Sequence, residues 1–316
     1  MKKILIAGGA GFIGTRFCNE NKDNYDITVV DHFWFGDHLD KKIKKIKKDL
    51  KQLTPEDLKG FDAVLFLAGL SNDPMALYRP DLNFIENNAS PTYLAFIAKQ
   101  AGIKKFICAS SCSVYGFTKN RTLTETSKVK PAYAYGVSKL QCEQGLSILE
   151  DNSFKPILFR KGTVGGWSPK MRFDLVVNTM VMTALTKGVI TVNSANLWRP
   201  LIDIRDVIEG YKRAIDCDDE ISGVYNLVGN NYTIGDLGDL IFNELTNKGY
   251  NIDLQINNTK DIRNYKVSGD KMEDVFGFKA KYNPSDSVNE IISDLGKDFN
   301  FNQDNFYNIK TFKSHY

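Results

Sequence analysis

A tyrosine and a lysine one helical turn apart are the residues of this sequence best suited to proton transfer. Tyr135 and Lys139 are four positions apart, so on a helix both side chains can face the same cleft. A phenol ionises near pH ~10 by itself, so it acts as a base at neutral pH only beside a cation. Lys139 can supply that charge, and the pair therefore predicts general base catalysis by the tyrosine.

The same spacing occurs a second time, and a run of hydroxyl groups distinguishes the two copies. Tyr115 and Lys119 directly follow a predicted strand without a helical pattern, so we interpret this copy as a loop. The strand itself ends in Ser-Ser-Cys-Ser at 110–113, and α/β sheets carry functional groups at the carboxyl ends of their strands. A serine of this run can join the tyrosine–lysine pair, although strand-end serines also serve simply to satisfy backbone groups.

A glycine cluster directly after the first predicted strand predicts a dinucleotide site. Residues 8–14 read Gly-Gly-Ala-Gly-Phe-Ile-Gly and open an apolar helical segment. Gly8 permits a tight turn, Gly11 lets the backbone approach a pyrophosphate, and Gly14 lets helix and strand pack closely. Asp31 ends the second strand, where a carboxylate bonds the adenosine ribose and repels a 2′-phosphate. We therefore expect NAD as the cofactor; a glycine turn with a capping aspartate is the alternative.

Short apolar runs alternate with helical patterns through the first two thirds of the chain. The runs lie at 2–7, 27–30, 63–68, 106–109 and 157–159. Because they are almost wholly apolar, they are typical of central strands in a parallel sheet that is covered on both faces. The fold class that we predict is α/β: a Rossmann-type doubly wound parallel sheet with a smaller C-terminal α/β substrate lobe.

The pattern loosens after residue 160, which suggests how the chain divides. Glycines and Pro169 interrupt it before helical patterns at 173–187, 205–216 and 233–247, and the stretch 299–316 shows no convincing period. We expect an NAD-binding Rossmann domain at 1–164 with return segments near 200–228, and a substrate-binding lobe at 165–199 and 229–316.

Charge and cysteine content exclude several other classes of protein. The 41 basic and 38 acidic residues nearly balance, so neither nucleic acid nor membrane is expected as a partner. The Lys-rich run 41–51 lacks interleaved aromatic residues, and we interpret it as a solvated strand edge. The five cysteines lack Cys-x-x-Cys spacing, which argues against disulfides and against a metal site. A reducing cytoplasm is the expected location.

Three motifs together resemble the extended short-chain dehydrogenase/reductase family, especially its nucleotide-sugar epimerases. They are the glycine cluster 8–14, Ser-Ser-Cys-Ser-Val-Tyr-Gly at 110–116, and Tyr-Gly-Val-Ser-Lys at 135–139. The resemblance implies a triad in which Ser111 hydrogen-bonds the reacting sugar oxygen, Tyr135 is the base and Lys139 is its partner. The expected cofactor contacts are Gly8, Gly11, Phe12, Ile13, Gly14, Asp31, Asp49, Leu50, Ala68, Gly69, Asn88, Tyr135, Lys139 and Val164.

The resemblance also implies where a nucleotide-sugar diphosphate would bind. It points to Asn178 and to one arginine in each of two segments, 198–206 and 261–265. Planar guanidinium groups suit bidentate phosphate contacts, which supports the arginines, although surface salt bridges are the alternative. The substrate-side residues that we predict are Ser71, Asn72, Ser111, Thr163, Arg172, Asn178, Arg199 and Arg263.

Departures from the family pattern narrow the expected reaction. The 4,6-dehydratases of this family carry acidic residues directly after the triad serine or threonine, whereas this chain has Cys112 and Ser113, so dehydration is disfavoured. Thr163 stands where the galactose epimerases have asparagine, which argues against a galactose-type substrate.

The resulting functional prediction is NAD-dependent oxidation at C4 of a nucleotide-activated sugar in surface polysaccharide biosynthesis. The nucleotide can be GDP, UDP, CDP or dTDP, and a homodimer or homotetramer is expected. Rotation and re-reduction of the ketosugar would make the enzyme a 4-epimerase, and release would make it a 4-dehydrogenase. The segments 71–74 and 171–174 also resemble a subgroup that includes GDP-heptose 4-dehydrogenases. A non-catalytic NAD-binding regulatory protein is a further alternative.

Overall fold

The computed structural model describes residues 1–118, 121–257, 264–296 and 298–316, and a parallel sheet is its largest element. Its strands are β1 (Lys3–Ala7), β2 (Asp26–Asp31), β3 (Lys44–Lys47), β4 (Ala63–Phe66), β5 (Lys105–Ser111), β6 (Thr122–Leu123), β7 (Lys155–Lys161), β8 (Thr163–Gly165), β9 (Val189–Asn193), β10 (Trp198–Asp203), β11 (Gly223–Leu227), β12 (Asn231–Thr233), β13 (Asp253–Asn257) and β14 (Lys266–Val267).

Eleven α-helices connect or cover these strands in the described parts of the chain. They are α1 (Phe12–Asn21), α2 (Asp73–Tyr78), α3 (Pro80–Phe84), α4 (Ser90–Gln100), α5 (Ala134–Leu149), α6 (Val176–Lys187), α7 (Ile204–Asp216), α8 (Ile234–Asn247), α9 (Asp270–Phe276), α10 (Pro284–Asp294) and α11 (Asn308–His315).

Seven strands form the main sheet in the order β11-β7-β5-β4-β1-β2-β3, and every neighbouring pair is parallel. Alternate residues of each strand enter two different cores. Ile4 and Ile6 pack with residues of α1 and α7, whereas Leu5 packs with residues of α4 and α5. Because both faces are buried, the strands read as continuous apolar runs. The predicted Rossmann-type fold is confirmed.

The second lobe is built around smaller sheets. β8, β10 and β12 form one sheet, and β9 pairs with β13 in another. The lobe's sheet begins at Thr163, so the predicted domain boundary at 164 falls inside β8. α7 and β11 return the chain to the main sheet, but β10, at the start of the predicted return segment, pairs within the lobe.

The stretch 299–316 is ordered although it shows no sequence period. It forms a 3₁₀ turn at Asp304–Phe306 and then α11. Phe312 of α11 is fully buried, and its ring lies 5.9 Å from that of Trp34 in the loop after β2. Distant aromatic partners therefore order this segment, and they leave no periodic signal in its own sequence.

Candidate active site

In the glycine turn after β1, close packing requires two of the glycines, and a third leaves space for a ligand. Gly8 has a φ of +79°, and a Cβ there would lie 2.4 Å from the backbone nitrogen of Ala68. A Cβ on Gly14 would lie 2.6 Å from Gly9 Cα. A Cβ on Gly11 would meet just Gly8 O, at 3.4 Å. The structure itself therefore requires Gly8 and Gly14, whereas the space beside Gly11 can admit a pyrophosphate.

The amide groups of this turn complete the cradle. Helix α1 begins at Phe12, followed by Ile13, and no side chain of the described residues caps its N-terminus. Its first amides and the positive end of its dipole are therefore available to a phosphate. The residues present fit the dinucleotide that the sequence predicts.

Asp31 ends β2 beside this turn and ties two loops together. One carboxylate oxygen accepts from Ala10 N at 2.9 Å, and the other accepts from Phe33 N at 2.8 Å. Burial raises the pKa of Asp31, and the two backbone hydrogen bonds oppose that shift. The carboxylate lies where an adenosine ribose is expected.

The next predicted cofactor contacts lie on a 3₁₀ turn at Leu50–Gln52. The Asp49 carboxylate caps this turn by accepting from Lys51 N at 2.9 Å, and Leu50 is buried. His32, which follows β2, has its Nε2 4.0 Å from an Asp49 oxygen. The structure therefore brings these two residues to the Asp31 end of the site.

A buried asparagine shapes the loop after β4. Gly69 has a φ of +124°, and a Cβ there would lie 2.2 Å from Asn87 Oδ1. Asn87 donates to Leu70 O at 2.9 Å and to Asn83 Oδ1 at 2.7 Å. Its own Oδ1 is buried without a hydrogen-bond partner among the described residues. The predicted cofactor contact, Asn88, is half-buried beside it, and that role stays a prediction.

Sequence reasoning missed the part that Asn87 plays. The two asparagines lie on a π-helical turn at Ile85–Ala89, which decides which of them faces inwards. The i, i+4 spacing of Asn83 and Asn87 is the signal that could have found the buried pair.

The three predicted catalytic residues meet at the carboxyl end of β5. Tyr135 and Lys139 lie in the first turns of α5, and Lys139 Nζ is 5.9 Å from the centre of the Tyr135 ring. Lys139 Nζ also donates to Ala109 O at 3.1 Å, which fixes the ammonium at the strand end. Two residues further on, the hydroxyl of Ser111 accepts from Ser113 N at 3.2 Å. Tyr135 is half-buried, so part of its ring remains accessible.

A partly open pocket adjoins this group of residues. It runs beside the start of α5 and the segment that follows β5, and its aromatic walls suit the apolar face of a sugar ring. The lining residues are Asp73, Ser113, Gly116, Phe117, Ala132, Tyr133, Gly136 and Tyr265.

Buried polar contacts hold α5 in place. Glu143 of α5 pairs with Arg160 of β7 at 2.7 Å and accepts from Ser110 Oγ at 2.5 Å. The Arg160 guanidinium lies 4.8 Å from the centre of the Tyr115 ring, whose hydroxyl donates to Asn226 at 2.6 Å. This network connects α5, β5 and β7 and holds Tyr135 and Lys139 in position relative to Ser111.

Tyr115, which also has a lysine four residues later in the sequence, belongs to this buried network. Tyr115 lies in a 3₁₀ turn at Cys112–Tyr115, not in the loop that we expected. Burial raises the pKa of its phenol, which removes it as a base at neutral pH. Lys119 lies outside the described residues.

Two predicted substrate-side residues contact one carboxylate, and a third lies next to one of them in the chain. Arg172 contacts Asp174 through two hydrogen bonds of 3.0 and 2.8 Å, and Asn72 Nδ2 donates to the same carboxylate at 2.7 Å. Burial would raise the pKa of Asp174, but the Arg172 guanidinium lowers it overall. The Ser71 hydroxyl accepts from Asn308 of α11 at 2.9 Å, so the last helix joins this cluster.

Asn178 serves the fold in this structure. Its Oδ1 accepts from Gly166 N and its Nδ2 donates to Gly166 O, both at 3.1 Å, and its side chain is buried. These bonds hold the turn after β8, which begins with Thr163 and Val164. The phosphate contact that we predicted for Asn178 stays a prediction.

The two predicted arginine segments adjoin each other. Arg199 lies on β10 and is nearly buried, and its Nη1 donates to Trp198 O at 2.9 Å. The amide of Trp198 donates to Asn264 Oδ1 at 3.0 Å, so the strand borders the second segment. Arg263 itself lies outside the described residues.

The fold and the positions of these side chains define a class of dinucleotide-dependent oxidoreductases. In that class a glycine turn carries the pyrophosphate at one strand end, and an acid–base pair works at a neighbouring strand end. Residues 4–228 match the model of the NAD dependent epimerase/dehydratase family, and the chain belongs to that family. The predicted family and the predicted cofactor, NAD, are thereby confirmed.

Individual relatives are similar along nearly the whole chain. A UDP-glucose 4-epimerase of Rhizobium leguminosarum bv. trifolii is 24% identical over 320 residues, covering 90% of this chain and 94% of the relative. The structure of a UDP-N-acetylglucosamine 4-epimerase from Methanobrevibacter ruminantium M1, in complex with UDP-N-acetylmuramic acid, is 25% identical with a TM-score of 0.82. It covers 92% of this chain and 98% of the other.

A third comparison shows the same fold. The structure of MoeE5 in complex with UDP-glucuronic acid and NAD has a TM-score of 0.80 at 22% identity, covering 91% of this chain and 97% of MoeE5.

Within the described residues, no helix is long and apolar enough to cross a membrane. The same residues hold no grouping of three or more side chains that could bind a metal ion.

Proposed function

We propose that this protein oxidises C4 of a UDP-sugar and reduces it again on the opposite face, which makes it a UDP-sugar 4-epimerase. The observation that carries the proposal is the contact of Lys139 with Ala109 O, because it fixes the Tyr135–Lys139 pair at the end of β5 beside Ser111. NAD, when bound, supplies a hydride acceptor and donor for this chemistry.

Tyr135, Ser111 and Lys139 have separate roles in the proposed proton transfer. The phenolate of Tyr135 takes the proton of the C4 hydroxyl, and the hydroxyl of Ser111 donates to the same sugar oxygen. The Lys139 ammonium stabilises the phenolate, and its bond to Ala109 O prevents it from turning away. The cavity beside Ser113 and Gly136 holds the sugar ring and excludes water.

The nucleotide end of the substrate is proposed to bind in the second lobe. Arg199, Arg263 and Asn178 would contact the diphosphate, and Thr163 would contact another part of the substrate. Several 4-epimerases of UDP-sugars are among the similar proteins, which favours UDP as the nucleotide.

A 4-dehydrogenase that releases the ketosugar, including one for GDP-heptose, is the second candidate. The two segments that resemble that subgroup contact each other, because Asn72 and Arg172 share the carboxylate of Asp174. They thus form one unit beside the site, which supports a common role in substrate choice. Their resemblance also supports a role in surface polysaccharide biosynthesis.

We further propose that the protein forms homo-oligomers in the cytoplasm. Phe96 on α4 and Ile148 on α5 are 46% and 84% exposed, which supports association through these helices as a homodimer or homotetramer. All five cysteines are free, which fits a reducing cytoplasm.

A substrate panel tests the proposal directly. The purified protein is offered UDP-, GDP-, CDP- and dTDP-sugars with NAD while absorbance of NADH and product configuration are followed together. An inverted UDP-sugar without net NADH is the expected result. Stoichiometric NADH with a ketosugar would establish the dehydrogenase instead, and NAD binding without turnover of any sugar would favour a regulatory protein.

A further inference from the structure

Lys161 lies beside the catalytic residues and is not explained by the reaction just described. It ends β7, and the strand register pairs it with Ser111 at the end of β5. Ile157 and Phe159, two and four positions earlier, enter the core that faces α1 and α7, so Lys161 lies on that same face. Its Nζ is 6.0 Å from the centre of the Tyr211 ring on α7.

The groups that face Lys161 are mostly positive or neutral. They are Lys139 from α5, Arg172 from the segment before α6, Cys108 from β5 and Tyr211 from α7. In the described part of the chain, no carboxylate or carbonyl oxygen pairs with the Lys161 ammonium. Burial lowers the pKa of Lys161 to about 7, and the charges of Lys139 and Arg172 act in the same direction.

A second polar group in the same place also lacks a partner. The hydroxyl of Tyr211 is fully buried and makes no hydrogen bond with any residue that the structure describes. An unpartnered buried hydroxyl is costly to the fold. The half-buried Lys161 amine keeps solvent access beside Ser111 at the carboxyl end of β7, so it marks the side from which a ligand can approach. Under the proposed function, the neighbouring ligand is the nicotinamide end of NAD, because Lys139 and Ser111 act there.

We propose that Lys161 faces the nicotinamide and favours its reduced form over its oxidised form. This inference rests on the proposed function. The oxidised ring carries one positive charge and the reduced ring carries none, so a cation nearby disfavours the former alone. At an effective dielectric constant of about 20, one charge about 6–12 Å away changes the relative affinity roughly 10- to 100-fold.

The proton balance follows from the same charges. When the sugar alcohol becomes a ketone, its hydride leaves carbon for NAD⁺ and its hydroxyl proton goes to Tyr135. Lys161 then takes up a further proton from bulk solvent, because the positive charge of the ring has gone. Near neutral pH, Lys161 is therefore mostly a neutral amine beside NAD⁺, whereas beside NADH about half of it is an ammonium.

Binding measurements without turnover test this inference. The Kd of NADH is measured by its fluorescence and the Kd of NAD⁺ by competition, between pH 6 and pH 9. In the wild-type protein, the ratio of Kd for NAD⁺ to Kd for NADH should fall roughly 5- to 10-fold as the pH rises, because the ammonium that disfavours NAD⁺ is lost above a pKa of about 7. Lys161→Met should give a low ratio that no longer depends on pH, and Lys161→Arg a high one.

Lys155→Met is the matched control, since Lys155 lies at the opposite end of the same strand near Glu220. This variant should keep the wild-type pH dependence. Persistence of that dependence in Lys161→Met, or a preference for NADH in Lys161→Arg that is no greater than in wild type at pH 9, would overturn the inference while the proposed function stands. If neither nucleotide binds the wild-type protein, both fail.

Discussion

Two alanine substitutions in the glycine turn should have opposite consequences. Gly8→Ala forces a side chain onto a φ of +79° and brings its Cβ within 2.4 Å of Ala68 N. The backbone conformation costs about 1–2 kcal/mol and the overlap about 1–3 kcal/mol, so the free energy of unfolding should fall by about 2–5 kcal/mol. Gly11→Ala has neither problem, because Gly11 has a φ of −81° and its Cβ would meet just Gly8 O at 3.4 Å.

Gly11→Ala should instead weaken the binding of the cofactor. A methyl group there occupies the approach of the pyrophosphate, and loss of one charge-assisted hydrogen bond costs about 1.5–3 kcal/mol. NAD should therefore bind roughly 10- to 150-fold more weakly, while the free energy of unfolding changes by less than about 1 kcal/mol.

Urea denaturation and NADH fluorescence titration of both variants provide the measurements. Each variant is the control for the other, since they add the same group three residues apart. Wild-type affinity in Gly11→Ala would refute the placement of the pyrophosphate at this turn. Wild-type stability in Gly8→Ala would show that the contact with Ala68 does not constrain the fold.

Three further predictions concern Tyr135, the buried pair of Glu143 and Arg160, and the carboxylate of Asp174. Tyr135→Phe should lower kcat by roughly 10²- to 10⁴-fold yet leave NAD bound, whereas Tyr115→Phe should keep most of its turnover in steady-state assays. Glu143→Gln should lower the free energy of unfolding by about 3–5 kcal/mol in urea, because it leaves a buried guanidinium unpaired. Arg172 lowers the pKa of Asp174, so that carboxylate stabilises the fold above pH ~4, and this contribution is lost on acidification. The stability difference between wild type and Asp174→Asn should therefore shrink from pH 6 to pH 3; a constant difference would contradict it.

Local patterns were sufficient to predict the sheet and the relative positions of Tyr135 and Lys139. The central parallel strands are buried on both faces, so their sequences are apolar without interruption, and the turn after β1 contains positions such as Gly8 that other residues fit poorly. Tyr135 and Lys139 are four residues apart on one helix, so a single helical turn sets their relation.

Other features depend on contacts between distant parts of the chain. The turn at Ile85–Ala89 decides that Asn87 is buried, and only its i, i+4 spacing from Asn83 distinguishes it in the sequence from the adjacent Asn88. Lys161 and the fully buried Lys170 acquire their environments from several elements at once. A sequence reader would place both lysines at the surface, because isolated lysines are almost never buried.

The contact between α11 and the loop after β2 has a consequence for exchange of the cofactor. Trp34, three residues after Asp31, stacks with His32 at 5.2 Å and with His315 at 5.7 Å. Lys170 meanwhile donates to Asn308 at 2.6 Å. Departure of an adenosine from this end disturbs the same loop that anchors the last helix, and the thermodynamic coupling is reciprocal. Amide hydrogens of that helix should thus exchange with deuterium more slowly when the dinucleotide is loaded, which makes the chain terminus a reporter of occupancy.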